Sequence, residues 1–408
     1  MKIDLLDPEQ FKGGQPYDTF RWLRENDPVH WHEEPEGAGF WVLTRHADIK
    51  AVENDWETFS SEPTTVIDDT RVVADETHWH LLMSDPPHHT AHRKFLAPEL
   101  SLPSVRARQH ELEDLVNAVI DEVIEEGECD LVEDIAGRMA SYVIADLMGL
   151  PREESLTLFH AANVLVRGGS VQTGEGKDAL AMMYSHGKEA WERFSNAEPG
   201  DSGLSRIAHG EVLGRKEDMR QFQIDFHLLV SAGSDTSRNV LTTGMIALLE
   251  HPEQFQMLVE DTSLVPRAVE EMLRWHAPIV YQRRTATKDA EIGGQQIAKG
   301  QKVVSYYGAG NRDPEVFDDP EVFDVTRTSN PHLTFGSGRH FCLGSHLARA
   351  ELTTMFTALL ERMPDLRAAG PVTWYDIEEI PAVAGPHSFP ISFTPGPRLT
   401  DVMADAVS

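Results

Sequence analysis

The chain has 408 residues, enough for a large core, with 40% hydrophobic and 25% charged residues. Its 36 basic and 67 acidic residues leave a net charge of −31, which excludes nucleic acid and anionic membrane surfaces as partners, because phosphate binding needs clustered positive charge. Two cysteines, Cys129 and Cys342, give no disulfide framework and fit a reducing cytosol; a polar N-terminus and the lack of an apolar run of membrane length predict no signal peptide and no membrane anchor.

Taken in chain order, Pro28–His32 and Phe40–Thr44 predict two short strands across a Gly-containing turn, and Arg45–Asn54 predicts a short helix. Residues 1–60 thus read as a mixed, β-containing part, and from about Pro86 to Pro364 the pattern is mainly helical. At its start, Asp85-Pro86-Pro87-His88-His89-Thr90-Ala91-His92-Arg93 carries three histidines close together. Zinc ligation by His88, His89 and His92 is one reading, although no fourth ligand or catalytic glutamate has matching spacing. Cys129 falls in an acidic run, Glu125 to Asp130, predicted to be an exposed turn. No Gly/Ser-rich or Pro-rich linker divides the chain, so residues 1–408 read as one domain, mainly α with smaller β regions.

Glu217–Glu250 predicts one helix of 34 residues, closed by His251-Pro252. Apolar residues lie on both sides of its centre, so it runs through the core. In its middle, Ser231-Ala232-Gly233-Ser234-Asp235-Thr236-Ser237 places small and polar residues where a buried helix favours leucine or alanine. Small residues leave room for a ligand, and Asp235 with Thr236 supplies a carboxylate and a hydroxyl for proton relay; a break or polar kink in the helix is the alternative. Further on, Glu271 and Arg274 lie at i,i+3 on one helix face, by itself an ordinary surface pair. Thr285–Val304 is β-rich, with a Gly293-Gly294 turn, and the tail after Arg367 carries short strand-like pieces such as Phe389–Phe393.

The most informative stretch is Phe335-Gly336-Ser337-Gly338-Arg339-His340-Phe341-Cys342-Leu343-Gly344. Its glycines let the backbone turn sharply and pass close to a large flat group. A helical stripe follows, Leu347, Ala348, Leu352, Met355, Phe356, Leu359, Leu360 and Met363, ended by Pro364. Cys342 therefore sits about one turn before a helix whose N-terminal amides favour a thiolate, the arrangement that suits a sulfur ligand to an iron already held by four others. The plainer alternative is a small buried hydrophobe. His332, Arg339, His340, His346 and Arg349 crowd around Cys342; they form a patch that steers an acidic partner, or they bind a cofactor's carboxylates.

The filled pattern F-G-x-G-x-H-x-C-x-G-x-x-L-A-R, ending at Leu347-Ala348-Arg349, resembles the haem-binding signature of the cytochrome P-450 family. Four more segments resemble elements of that family in the same order, and the resemblance runs from about Pro28 to Phe393. It implies the cytochrome P-450 fold, with a long central helix over a buried haem b (iron protoporphyrin IX), and Cys342 as axial iron ligand in a loop that includes Phe335 and Gly344. On the A-G-x-D-T likeness, Thr236 would hydrogen-bond dioxygen or its water, Asp235 would belong to the proton path, and Ala232 and Gly233 would lie against the haem face. Glu271 and Arg274 would form a buried E-x-x-R pair, with a third partner from Asn311–Pro314 or Phe323–Arg327. His89, Arg93, Arg284 and His340 would hold the haem propionates.

The function implied is a soluble bacterial haem-thiolate monooxygenase, cytoplasmic, that inserts one oxygen atom of O2 into a C–H bond of an apolar small molecule. A ferredoxin with its reductase would supply the electrons. The substrate wall would come from about 60–83, 161–184, 278–283 and 383–389, including Val66, Ile67, Val164, Leu165, Val166, Met182, Met183, Ile279, Val280 and Phe389. That apolar lining suits a lipid, steroid or terpenoid. A peroxide-driven oxygenase, a nitric oxide reductase, a haem sensor or carrier, and a haem-free helical scaffold are the alternatives.

Overall fold

The longest element of the computed structural model is the helix Met219–Glu250, 32 residues and about 48 Å at 1.5 Å per residue. The structure describes residues 3–35, 37–69, 75, 77–166, 174–375 and 380–399. The long helix starts two residues later than predicted, because the Asp218 carboxylate accepts the Gln221 N–H and acts as its cap. The polar middle does not break it. Ser234 Oγ donates to Val230 O at 2.6 Å and Thr236 Oγ1 to Ala232 O at 2.9 Å, so these hydroxyls bond back to the helix itself.

Two hydrophobic clusters flank that middle. Phe222, Phe226, Leu228 and Val230 pack with Leu158, Leu165 and Met183. Val240, Leu241, Met245 and Leu248 pack with the helices Val265–Trp275 and Ser345–Arg362. Gly244 permits the second contact: a Cβ there would lie 2.8 Å from Met272 Sδ and 3.0 Å from Phe356. Five strands form the larger sheet: β1 (Val29–His32), β2 (Phe40–Leu43), β3 (Phe59–Ser60), β4 (Tyr281–Ala286) and β5 (Lys302–Tyr306). Their order is β1-β2-β5-β4-β3, antiparallel except for β2 beside β5. The expected turn at Gly293-Gly294 closes the hairpin Ala290–Ile292/Gln295–Ile297, both glycines having positive φ.

Cys129 differs from expectation. It lies on a strand, Glu128–Asp130, paired with Ile391 of Pro390–Ser392, and it is half-buried against the main core. Burial, with Asp134 and Asp130 nearby, pushes its thiol up to about 12. The turn is one step earlier, at Gly127. Among the described residues no helix is long and apolar enough to cross a membrane.

Glu271 and Arg274 are both fully buried and joined twice, at 2.8 and 2.7 Å. Arg327 Nε reaches Glu271 Oε2 at 3.1 Å, and the Asp324 N–H and Asn330 Nδ2 donate to the same carboxylate. Arg274 spends its other N–H groups on the carbonyls of Asn311, Pro320 and Val322. Both proposed third segments therefore take part, and every charge has a partner. Breaking such a set strands the remaining charges in the interior. Glu271→Gln is expected to lower stability by about 3–5 kcal/mol, read from urea unfolding followed by circular dichroism; a loss below about 1 kcal/mol is the surface-pair result.

Candidate active site

The loop before Cys342 is held from two sides. Glu53, at the end of the helix His46–Asn54, accepts the Ser337 N–H at 2.8 Å and the Tyr307 hydroxyl at 2.5 Å. From behind, Leu333 N–H donates to Asn311 Oδ1 at 2.7 Å, and Thr334 Oγ1 donates to Leu273 O at 2.6 Å. Gly338 is required where it stands, at φ +64, since a Cβ would lie 2.4 Å from the Glu53 carbonyl oxygen. The Cys342 N–H closes the loop on Phe335 O at 2.8 Å. Phe335 carries the Arg349 guanidinium over its face, 4.5 Å from the ring centre. Burial pushes the Cys342 thiol up, while the Gly344 N–H and the Arg93 and Arg349 charges pull the other way. The expected pull of the helix N-terminus on the sulfur is present, and desolvation outweighs it.

Beside this loop, the helix His88–Leu96, β4 and the loop itself bring His89, Arg93, Arg284 and His340 together. The His89 and His340 rings lie 4.1 Å apart. Burial drives His340 down to about 2, aided by the charges of Arg284, His89 and Arg93. Burial likewise lowers His89 to about 4, aided by Arg93, Arg339, His92 and Arg284. Neither ring nitrogen of His89 has a hydrogen-bond partner, although both are buried. Arg284 is partly engaged, with Nη1 on Arg283 O at 2.9 Å and Nη2 3.6 Å from Glu53. His340 Nε2 sits 3.0 Å from Ser61 Oγ. The cluster is short of negative charge, and two carboxylates would match it.

The three neighbouring histidines do not converge. His88 stacks on Trp79 at 4.2 Å, and His92 pairs with buried Asp225 at 2.9 Å. No group of His, Cys, Asp or Glu among the described residues is placed to hold a metal ion between them. The basic patch also shrinks. His332 and Arg349 both bind Glu270, at 3.2 and 2.6 Å, leaving Arg339 and His346 as its exposed members.

On the long helix, Ala232 is exposed and Thr236, one turn on, is half-exposed, so both lie on an open face. Gly233 is half-exposed like Thr236, and a Cβ on it would lie 2.1 Å from Ile144, so a side chain at this position would collide with the neighbouring helix. Asp235 is also off that face. Its carboxylate is buried and paired with Arg238 at 2.6 Å. Gly344 has open space beside it. Leu343 and Leu347 pack against the cluster that contains Leu228 and Val230, which brings the cysteine loop and the polar middle of the helix to one region.

The expected substrate wall divides. Val66, Ile67 and Val280 share one cluster, and Val164, Leu165 and Met183 another. Phe389 is packed in the main core and Ile279 lies against a fourth cluster, while Met182 is exposed. Residues 70–74, 76 and 167–173 and the Val166 side chain lie outside the described residues. Sequence reasoning missed Glu53, whose role depends on contacts far away in the chain. It also missed Arg238, for which an arginine three residues after Asp235 on a buried helix was the available signal, and Glu351, which reaches up from the cysteine helix to Ser237.

Residues 215–363 match the family model named Cytochrome P450. The chain is 36% identical over 393 residues to cytochrome P450 126 of Mycobacterium tuberculosis, covering 91% of this chain and 93% of that one. It is 32% identical to a steroid C26-monooxygenase of Mycolicibacterium smegmatis, covering 90% and 89%. The structure of a Mycobacterium marinum cytochrome P450 in complex with pseudoionone superposes with a TM-score of 0.83 at 33% identity, covering 93% and 94%. The chain belongs to the cytochrome P450 family and is an oxidoreductase enzyme.

Glu351 gives a pH test of this arrangement. Burial raises its carboxyl to about 8, against a small opposing pull from Ser237. The folded chain then holds a proton that the unfolded chain has lost, so this group favours folding below about pH 4.5 and that contribution fades as pH rises to about 8. Glu351→Gln is expected to flatten the fall of the thermal midpoint across that window, measured by calorimetry; parallel curves would contradict it.

Proposed function

We propose that this cytochrome P450 binds haem b with Cys342 as the iron ligand, and inserts one oxygen atom of O2 into a C–H bond of an apolar small molecule. Electrons would come from a ferredoxin and its reductase, and the protein would work in the cytoplasm. The observation that carries the reading is the cluster beside the cysteine loop of two cations, Arg93 and Arg284, with two neutral imidazoles, His89 and His340, of which His89 is buried and has no hydrogen-bond partner. Two guanidinium charges and two imidazole donors, brought from three segments, fit a flat group with two carboxylates. When bound, haem supplies electron transfer and oxygen activation, which no side chain can.

The chain's own residues do the rest. The Cys342 N–H bond to Phe335 O and the Ser337 N–H bond to Glu53 fix where the sulfur stands. The Gly344 N–H tempers the charge on that sulfur. Ala232 keeps the open face of the long helix low. Thr236 Oγ1, now donating to Ala232 O, is the hydroxyl on that face that can hold a proton and orient a water. Asp235, behind it, is the acid that resupplies the proton. The apolar residues Val66, Ile67, Val164 and Leu165 are candidates to exclude water around the substrate. The relative named for steroid C26 oxidation and the neighbour bound to pseudoionone support a steroid-like or terpenoid-like substrate.

Arg93→Ala and Arg284→Ala are each expected to speed haem loss about tenfold, the cost of one charged hydrogen bond, measured by transfer to apomyoglobin. Thr236→Ala is expected to keep haem but lower product formed per O2 consumed by about 10²-fold, with peroxide released instead. Measured with ferredoxin, reductase and NADH, unchanged coupling would remove the role given to Thr236, a parent that binds haem but forms no product would favour a haem carrier, and full activity with peroxide alone would favour a peroxide-driven oxygenase.

A further inference from the structure

Arg238 is the largest fully buried side chain on the long helix, and the mechanism above leaves it without a role. Its Nη2 lies 2.6 Å from Asp235 Oδ1, with 1% and 2% of the two side chains exposed. Nη1 donates to the Tyr375 hydroxyl at 2.9 Å, and Nε and Nη2 donate to Asn239 Oδ1 at 3.2 and 2.9 Å. Phe159 and Tyr375 present their rings to the guanidinium at 5.3 and 5.6 Å. In the amide orientation that satisfies both neighbours, Asn163 donates to Asp235 and accepts from Arg238 Nη1. Burial works against the charge of Arg238, and Asp235 and Tyr375 outweigh it.

We propose that Arg238 is the positioning residue for Asp235, holding its carboxylate ionised and off the open face of the helix, and that Tyr375 anchors Arg238 to the C-terminal hairpin. This rests on reading Asp235 as the proton-resupplying acid. A buried carboxylate keeps its charge only beside a fixed cation. Here the cation cannot follow the acid, because the Phe159 ring, the ring and hydroxyl of Tyr375 and the Asn239 amide fix its plane. Asp235 must therefore leave Arg238 by its own rotation to reach the side of Thr236, and it returns to the same place afterwards. Arg238 sets the resting position of the acid and makes its protonated form transient.

The anchor belongs to a different element. Tyr375 follows the strand Thr373–Trp374, which pairs with Pro386–Ser388. The same hairpin meets the helix at a second point, where a Cβ on Gly385 would lie 1.9 Å from Asn239 Oδ1. Tyr375, Val383, Ala384 and Gly385 also line a small cavity. A change in the hairpin is transmitted to Asp235 through one guanidinium.

The test compares haem-loaded Arg238→Met, Arg238→Lys, Tyr375→Phe and Asp235→Asn. Infrared difference spectra at neutral pH read the carboxyl directly. Arg238→Met is expected to gain a protonated-carboxyl band that disappears in Arg238→Met/Asp235→Asn, and Arg238→Lys, which keeps the charge, is expected to lack it. Product per O2 consumed is expected to fall about tenfold in Arg238→Met, and to recover in part in Arg238→Lys. A haem-loaded Arg238→Met with no new band and unchanged coupling overturns the proposal. If Arg238→Met does not take up haem, Tyr375→Phe decides: it keeps the ring and removes one bond, so coupling lowered about threefold supports the proposal and unchanged coupling overturns it. Unchanged coupling in Asp235→Asn removes the acid's assigned role and this inference with it. Coupling lost in Asp235→Asn but kept in Arg238→Met overturns this inference alone.

Discussion

The buried charge set around Glu271 is the constraint on which the rest of the structure depends. Arg274 has no exposed surface, so each of its donors must be matched inside the protein, and it draws in the carbonyls of Asn311, Pro320 and Val322. Asn311 then binds Leu333 and Thr334, and nine residues beyond Thr334 the chain has passed Cys342. The cysteine loop thus inherits its position from an ion pair on a separate helix. Glu53 repeats the device on the other side of the loop, from a helix near the N-terminus. A loop rich in glycine has little stiffness of its own, and these two carboxylates supply it.

The polar middle of the long helix follows from the same logic. Hydrophobic clusters on either side hold the helix in the core, so residues 231–237 need not supply large apolar side chains. Their faces then diverge: Ala232 and Thr236 open to one side, while Asp235 and Arg238 close on another. Acid and alcohol are adjacent in sequence, yet the helix rotation separates them. That separation lets one element present a small, accessible hydroxyl while storing a charged carboxylate away from it.

Much of this was legible in the sequence. The long helix, the hairpin at Gly293-Gly294, the two N-terminal strands and the helix after Cys342 lie where periodicity and turn residues predicted, within a residue or two. The buried Glu271–Arg274 pair and the gathering of His89, Arg93, Arg284 and His340 followed from resemblance. Alone, their spacing suited a surface pair and a set of scattered cations. What was hidden is what depends on direction or distance. Gly233 keeps part of its surface exposed, yet a Cβ on it would meet Ile144, a constraint that spacing alone does not reveal. His332 and Arg349 read as a free basic patch because nothing local reveals that Glu270, far earlier in the chain, neutralises both. Cys129 read as an exposed turn because its strand partner, Ile391, comes 262 residues later.

The central claim is that Cys342 presents a thiolate to a haem iron. The most direct measurement is the difference spectrum of the reduced protein with and without carbon monoxide, recorded beside Cys342→Ser. Thiolate ligation predicts a strongly red-shifted Soret band in the parent that is lost in the variant. A folded, haem-loaded parent without that band, or a variant that retains it, would contradict the claim.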